Sequence, residues 1–221
     1  MSKKTQKRND FDLGGVIALP QNLENLQLPD PDLLQFYQLL DDRTYWLDTT
    51  VDQGVLELAR WIFKFNKEDD LNNIPVEQRK PIKVFLYTPG GDGQACLSLV
   101  DTIKMSKTPV YTINAGIAMS AGAIILLAGH KRFCFKNSIA LIHSGSGATQ
   151  GTYEQTAAQM KDYEHFIAVM KEFILSNSKI DLKLYNKHKT SEWYIYSKEQ
   201  KELGIVDEIL ETSEDLEKYL K

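Results

Sequence analysis

Four segments of the sequence hold residue types that could do chemistry together. In "AMSAG" a single hydroxyl, Ser120, stands in an otherwise apolar run between small residues. The segment is similar to the strand–turn–helix G-x-S-x-G elbow, with Ala118 in place of the first glycine. Small neighbours let a substrate approach a nucleophile on a sharp turn. A helix starting there aims free N–H groups, that of Ala121 among them, at a developing oxyanion. In "TPGGDG", Gly90 and Gly91 follow an apolar strand pattern, and consecutive glycines can form an anion-binding concavity of backbone N–H groups. His143 closes "IALIH" just before the Gly-rich "SGSGATQG", where a neutral imidazole could take the serine proton. An acid is needed to hold the histidine tautomer; Glu192 in "TSEWYIYS" and Asp181 in "KIDLKL" compete for that task. Each has a plainer account: a serine N-cap, a tight turn, a structural histidine and solvated surface charges. His130, His165 and His188 lie in polar or helical-surface contexts.

Positioning these residues falls to a repeated strand–turn–helix pattern. "IKVFLY" reads as a buried strand, "TPGGDG" as a turn and "QACLSLVDTIKM" as a helix. "PVYTIN" is the next strand, the run from Ala115 to Gly129 a buried helix, and "RFCF" and "IALIH" two further strands. Strands alternating with helices imply an α/β domain with mostly parallel pairing. Upstream, "TYWLDTT" reads as a strand, and Thr50 with Gln53 as a capping box for a helix whose buried face carries Val55, Leu58, Ala59, Ile62 and Phe65. "NKEDDLNNIPVEQRK" reads as an exposed polar connector. Residues 152–176 form a long helix with an apolar stripe that serves core packing or an oligomer interface. A short helix closed by Gly204, a strand "IVDEIL" and an acidic helix opened by Thr212 end the chain.

Composition excludes several classes. The 221 residues carry a net charge of −4, which gives no global field for nucleic acid or an anionic membrane. The basic start "MSKKTQKRND" is followed by no apolar h-region, and a solvated tail is expected there. The longest apolar stretch is too short for a bilayer. Cys96 and Cys134 are expected to be buried free thiols of a reducing, cytoplasmic compartment. No Cys/His cluster has metal-ligand spacing, so neither a metal nor another cofactor is expected.

Together the four segments resemble the Clp protease proteolytic subunit (ClpP) family, of the ClpP/crotonase fold. "YTPGGDG" is similar to that family's S-P-G-G segment, and "GIAMSAGAIILLAG" to its nucleophile segment. "KRFCFKNSIALIH" is similar to the segment ending in the catalytic histidine, and "EWYIYSKEQKELGIVDEIL" to the ending that opens on the triad Asp. The resemblance spans roughly residues 43–211, leaving 1–42 as a divergent, partly disordered N-terminal segment and 212–221 as a C-terminal helix or tail. It implies Ser120 as nucleophile, His143 as base, the N–H groups of Gly91 and Ala121 as oxyanion hole, and Glu192 where the family has Asp, with Asp181 the alternative acid. It also implies a handle helix at a ring–ring contact, stacked heptameric homo-oligomeric rings around a proteolytic chamber, a Clp ATPase partner, and unfolded polypeptide or peptide as substrate. "SGSGATQ" departs from the family's usual Q-P-x-G-G segment, the connector at 66–80 is longer than its norm, and residues 1–42 do not resemble its axial-loop segment.

The expected function is therefore a divergent Clp-type serine endopeptidase acting through an acyl-enzyme. Three alternatives stand beside it. One is an α/β-hydrolase using Ser120, Asp181 and His188; another is a catalytically weak ring component or assembly scaffold. A crotonase-type acyl-CoA enzyme is the third.

Overall fold

The computed structural model describes residues 30–220. The basic N-terminal stretch and most of the 1–42 segment lie outside the described residues. By its contacts the chain divides between Tyr37 and Gln38, and the sheet and its core belong to the larger unit, which begins at Gln38. The elements run α1 (Pro31–Asp41), β1 (Thr44–Leu47), α2 (Val55–Leu71), β2 (Ile82–Thr88), α3 (Gly93–Met105), β3 (Val110–Met119), α4 (Ala121–Ala128), β4 (Lys131–Phe135), β5 (Ile139–Ile142), α5 (Tyr153–Asn177), α6 (Leu182–His188), β6 (Trp193–Tyr196), α7 (Ser197–Glu202), β7 (Glu208–Leu210) and α8 (Ser213–Leu220). The sheet runs β1-β2-β3-β4-β7, all neighbours parallel. This is the mixed α/β architecture with mostly parallel pairing that the strand–helix alternation predicts.

Strand β2 shows how the sequence chooses its faces. Ile82, Val84, Leu86 and Thr88 alternate into the main core. That core also receives Leu58 and Ile62 of α2, Leu99 and Ile103 of α3, and all of α4. Phe85 points to the opposite face, where Ile113, Phe133, Leu210 and Leu220 form a smaller core. Helix α4 is apolar all round because it is buried all round.

Strand β3 forks the sheet. Its first half, Tyr111–Asn114, pairs with β4; its second half, Ile117–Met119, pairs in parallel with β5, and β6 lies antiparallel on β5. At the fork the buried Asn114 donates from Nδ2 to Ile139 O (3.1 Å) and Gln200 Oε1 (3.3 Å), and its Oδ1 accepts from Gly116 N–H (3.2 Å). Gln200 Nε2 donates in turn to Ser138 O and Ile195 O. A side-chain amide thus supplies bonds that the ladder lacks where it changes partner.

Three local expectations need correction. The apolar run from Ala115 is helical only from Ala121, because residues 117–119 are taken into the ladder with β5. Thr50 and Gln53 form no capping box: α2 has Gly54 as N-cap with no side-chain cap, and the backbone of Val51 is engaged elsewhere. The connector after residue 66 is not all exposed loop, since α2 continues to Leu71 and Val76–Gln78 form one 3-10 turn. Its polar residues are structural. Asn66 accepts the N–H groups of Lys107 and Thr108, and Asp69 is fully buried against Arg43. The capping box that does form is on α5, between Thr152 and Gln155.

Candidate active site

Strand register brings the two central residues together. Met119 pairs with Leu141, and Ser120 N–H donates to Leu141 O (2.9 Å), so the end of β3 is locked beside the end of β5. Ser120 and His143 follow immediately, and Ser120 Oγ lies 2.7 Å from His143 Nε2, a hydrogen bond between half-buried groups. Ser120 has φ 54° and ψ −119°, a conformation that costs a non-glycine residue of order 1–3 kcal/mol. Its side chain makes no capping bond to α4, so the plain N-cap account fails. The hydroxyl is turned to the imidazole instead, and the backbone strain sits at that residue.

The glycine turn is fitted to this elbow. Gly90 has φ 93°, and a Cβ there would lie 2.5 Å from Met119 O and 2.8 Å from Ser120 Cβ. Gly91 has φ 150°, and a Cβ there would lie 2.2 Å from Val51 O. Residues 50–52 strap the turn from outside: Val51 N–H donates to Gly90 O (2.8 Å) and Asp92 N–H to Val51 O (2.7 Å). Gly90 N–H is taken by Thr88 Oγ1 (3.2 Å), and Asp92 caps α3 through Ala95 N–H (2.8 Å). Between these spent donors Gly91 N–H has no protein acceptor among the described residues, and Ala121 N–H, first in α4, has no intrahelical one. Both residues line an open cavity of about 870 Å³ that also exposes Ser120, His143, Ile124 and Met160.

Directly after the histidine, Ser144 Oγ donates to Lys189 O, and Tyr163 Oη donates to Ser144 O (3.3 Å). The loop that follows His143 is thereby tied both to α5 and to the segment that leads into β6.

The two acids sit differently. Asp181 is the N-cap of α6, accepting from Leu184 N–H (2.7 Å). Glu192 is exposed, and its Oε2 accepts from Tyr194 Oη (2.6 Å). Neither is hydrogen-bonded to His143 among the described residues. Register nevertheless favours Glu192. The antiparallel β5–β6 ladder ends at Ile142 paired with Trp193, and His143 and Glu192 are the next residue on each chain, where the same register continued by one step would set them opposite each other. His188, the base of the α/β-hydrolase alternative, is stacked on Trp193 with centroids 4.3 Å apart. Of the other histidines, His130 accepts at Nδ1 from Val110 N–H (3.1 Å), at the far end of β3.

Sequence reasoning missed the strap at Val51, the loop anchors Tyr163 and Ser144, and Tyr194. Val51 acts through its backbone, which leaves no trace in residue type. Tyr163 and Ser144 act through hydroxyls whose partners are distant in sequence, and Tyr194 through one whose partner, Glu192, lies two residues before it on the same side of an extended chain.

Comparison with known proteins finds similarity along most of the chain. A family model described as Clp protease matches residues 37–213. The "ATP-dependent Clp protease proteolytic subunit 2" of Treponema pallidum is 30% identical over 186 residues, covering 83% of this chain and 89% of the relative. The protein of the same name from Treponema denticola is 32% identical over 139 residues, 62% of this chain and 70% of the relative. The "ATP-dependent Clp protease proteolytic subunit" of Cyanophora paradoxa is 28% identical over 191 residues, 85% and 93% of the two chains.

Proposed function

The chain belongs to the Clp protease family, and from that premise we propose that it is a serine endopeptidase that cuts unfolded polypeptide through an acyl-enzyme. The carrying observation is the 2.7 Å bond between Ser120 Oγ and His143 Nε2, made at a strained elbow beside free N–H groups. Ser120 Oγ attacks the scissile carbonyl while His143 Nε2 takes its proton. The resulting oxyanion lies against the N–H groups of Gly91 and Ala121. Collapse expels the amine, which His143 protonates. Water, deprotonated by the same imidazole, then releases the acyl group. Glu192, which like His143 lies one residue beyond the last pair of the β5–β6 ladder, is the acid that stabilises the imidazolium. Asp181, already spent on a helix cap, is the weaker alternative.

A homo-oligomer of stacked heptameric rings, fed by a Clp ATPase, is the assembly this reading carries. The names of the relatives, which couple a proteolytic subunit to ATP, support the partner. The handle supports the assembly: of its apolar stripe only Ile174 is buried, while Tyr153 and Met160 stay exposed. Two buried, unpaired cysteines support a cytoplasmic setting.

The test is active-site labelling. A fluorophosphonate should modify Ser120 in the oligomer, and both Ser120→Ala and His143→Ala should abolish labelling and cleavage of unfolded protein. Labelling that persists in Ser120→Ala would overturn the peptidase reading. The second reading, a catalytically weak ring component, draws on the missing hydrogen bond between either acid and His143. It predicts an assembled oligomer that cleaves neither peptides nor unfolded protein, with or without an ATPase.

A further inference from the structure

The third member of the triad is a glutamate, and a glutamate swings through one more rotatable bond than an aspartate. Something must restrict it if its carboxylate is to meet the imidazole in one geometry. In β6 side chains alternate, with Trp193 and Ile195 buried and Tyr194 and Tyr196 exposed. Glu192 and Tyr194 are two residues apart and share the outer face. Tyr194 Oη donates to Glu192 Oε2 at 2.6 Å, a short charge-assisted bond, and the carboxylate in turn raises the phenol's pKa. A carboxylate has acceptor sites on both oxygens, and Oε1 is not used by any hydrogen bond among the described residues. Tyr194 is itself fixed: it pairs with Leu141 in the β5–β6 ladder, two residues before His143. The phenol thus stands on the ladder itself, and the imidazole and the acid leave it at the same end, each one residue beyond its last pair.

We infer that Tyr194 is a positioning residue that holds Glu192 by Oε2 and so presents Oε1 to His143 Nδ1, which is what lets a glutamate serve as the acid of this site. The inference rests on the peptidase reading above and adds a residue to it. Tyr194 touches neither substrate nor the reacting atoms; it acts through Glu192 alone.

The test is a double-mutant cycle on the full-length assembled protein, read as kcat and KM on a short fluorogenic peptide. Tyr194→Phe should lower kcat by roughly five- to tenfold, as removal of one charge-assisted hydrogen bond would, with KM unchanged. Glu192→Gln should cost more, and Tyr194→Phe added to Glu192→Gln should cost nothing further. Phenylalanine keeps the ring in the half-exposed site, and the melting temperature of Tyr194→Phe checks that the fold is intact. Wild-type kcat in Tyr194→Phe, with Glu192→Gln impaired, would overturn the inference and leave the peptidase reading standing. So would an equal loss from Tyr194→Phe in both backgrounds. Full activity in Glu192→Gln, with Ser120→Ala inactive, would remove Glu192 from the triad and the inference with it. Activity retained in Ser120→Ala would sink the peptidase reading itself.

Discussion

At the scale of the residue, the site depends on an absent side chain as much as on those present. Gly90 passes under the elbow so closely that a methyl group would occupy the space of Met119 O and Ser120 Cβ. Gly90→Ala should therefore displace the Ser120 hydroxyl and, on the peptidase reading, cost on the order of 100-fold in the rate of fluorophosphonate labelling. The melting temperature separates that loss from simple unfolding. The neighbouring thiol gives a contrasting expectation. Cys96 lies buried under α4, with Sγ 3.3 Å from Ala121 O, and burial, aided by the charge of Asp92, pushes its pKa up to about 12. Cys134 is pushed up to about 11, again chiefly by burial. A thiol that stays protonated and covered is a poor nucleophile. Iodoacetamide at pH 8 should leave the folded protein unmodified at both cysteines and fully active, as intact mass and peptide turnover will show.

At the scale of the element, the fork in β3 does the positioning, and Asn114 holds the fork. Asn114→Leu keeps the branched outline of the side chain but strips partners from Gly116 N–H and from the amide of Gln200. Each buried polar group left unpaired costs about 1–3 kcal/mol. Urea unfolding should show a loss of that order. Because β5 carries His143, the Ser120 labelling rate should fall with it. The fork also marks where the sequence was legible and where it was not. Strand, glycine turn and helix around Gly90 could be read locally, since period and turn chemistry agree there. So could the elbow and the histidine at the end of "IALIH". The second half of β3 could not, because Ala115–Met119 has the composition of the buried helix that follows, and only pairing with β5 separates the two. Thr50 and Gln53 had the spacing of a cap, yet the backbone between them belongs to the glycine turn. The acid was nameable only as one of two candidates, since the proximity of Glu192 to the end of the β5–β6 ladder is a cross-strand relation that no local pattern encodes.

At the scale of the whole molecule, chemistry and anchoring occupy opposite ends of the sheet. Gly91, Ser120 and His143 follow the carboxyl ends of β2, β3 and β5, the end where open α/β sheets place their sites. The amino ends are pinned by ions. Arg43, just before β1, grips Asp69 of α2 at 2.8 and 2.6 Å, and Thr108, before β3, donates to the same carboxylate at 2.7 Å. Arg79, before β2, pairs with Asp70 and donates to Thr108 Oγ1. Burial works to raise the Asp69 pKa, but hydrogen bonds from Arg43 and Thr108 and the charges of Arg43 and Arg79 outweigh it, and the carboxyl is held below its ordinary value. A carboxyl whose folded pKa is depressed contributes stability that is fully present above its unfolded pKa, about 3.9, and lost as pH falls through the lower folded value. Acid unfolding of the wild type should accordingly steepen below about pH 4, where Asp69 of the unfolded chain takes up a proton while that of the folded protein stays charged. Asp69→Asn leaves the partly buried Arg43 beside a neutral amide and should cost up to about 3 kcal/mol at neutral pH. It should also flatten the stability profile in the acid window. Because the network lies at the end of the sheet away from Ser120, kcat per folded chain should not change. Loss of turnover in the folded variant, with stability unaltered, would show that the two ends of the sheet are not independent.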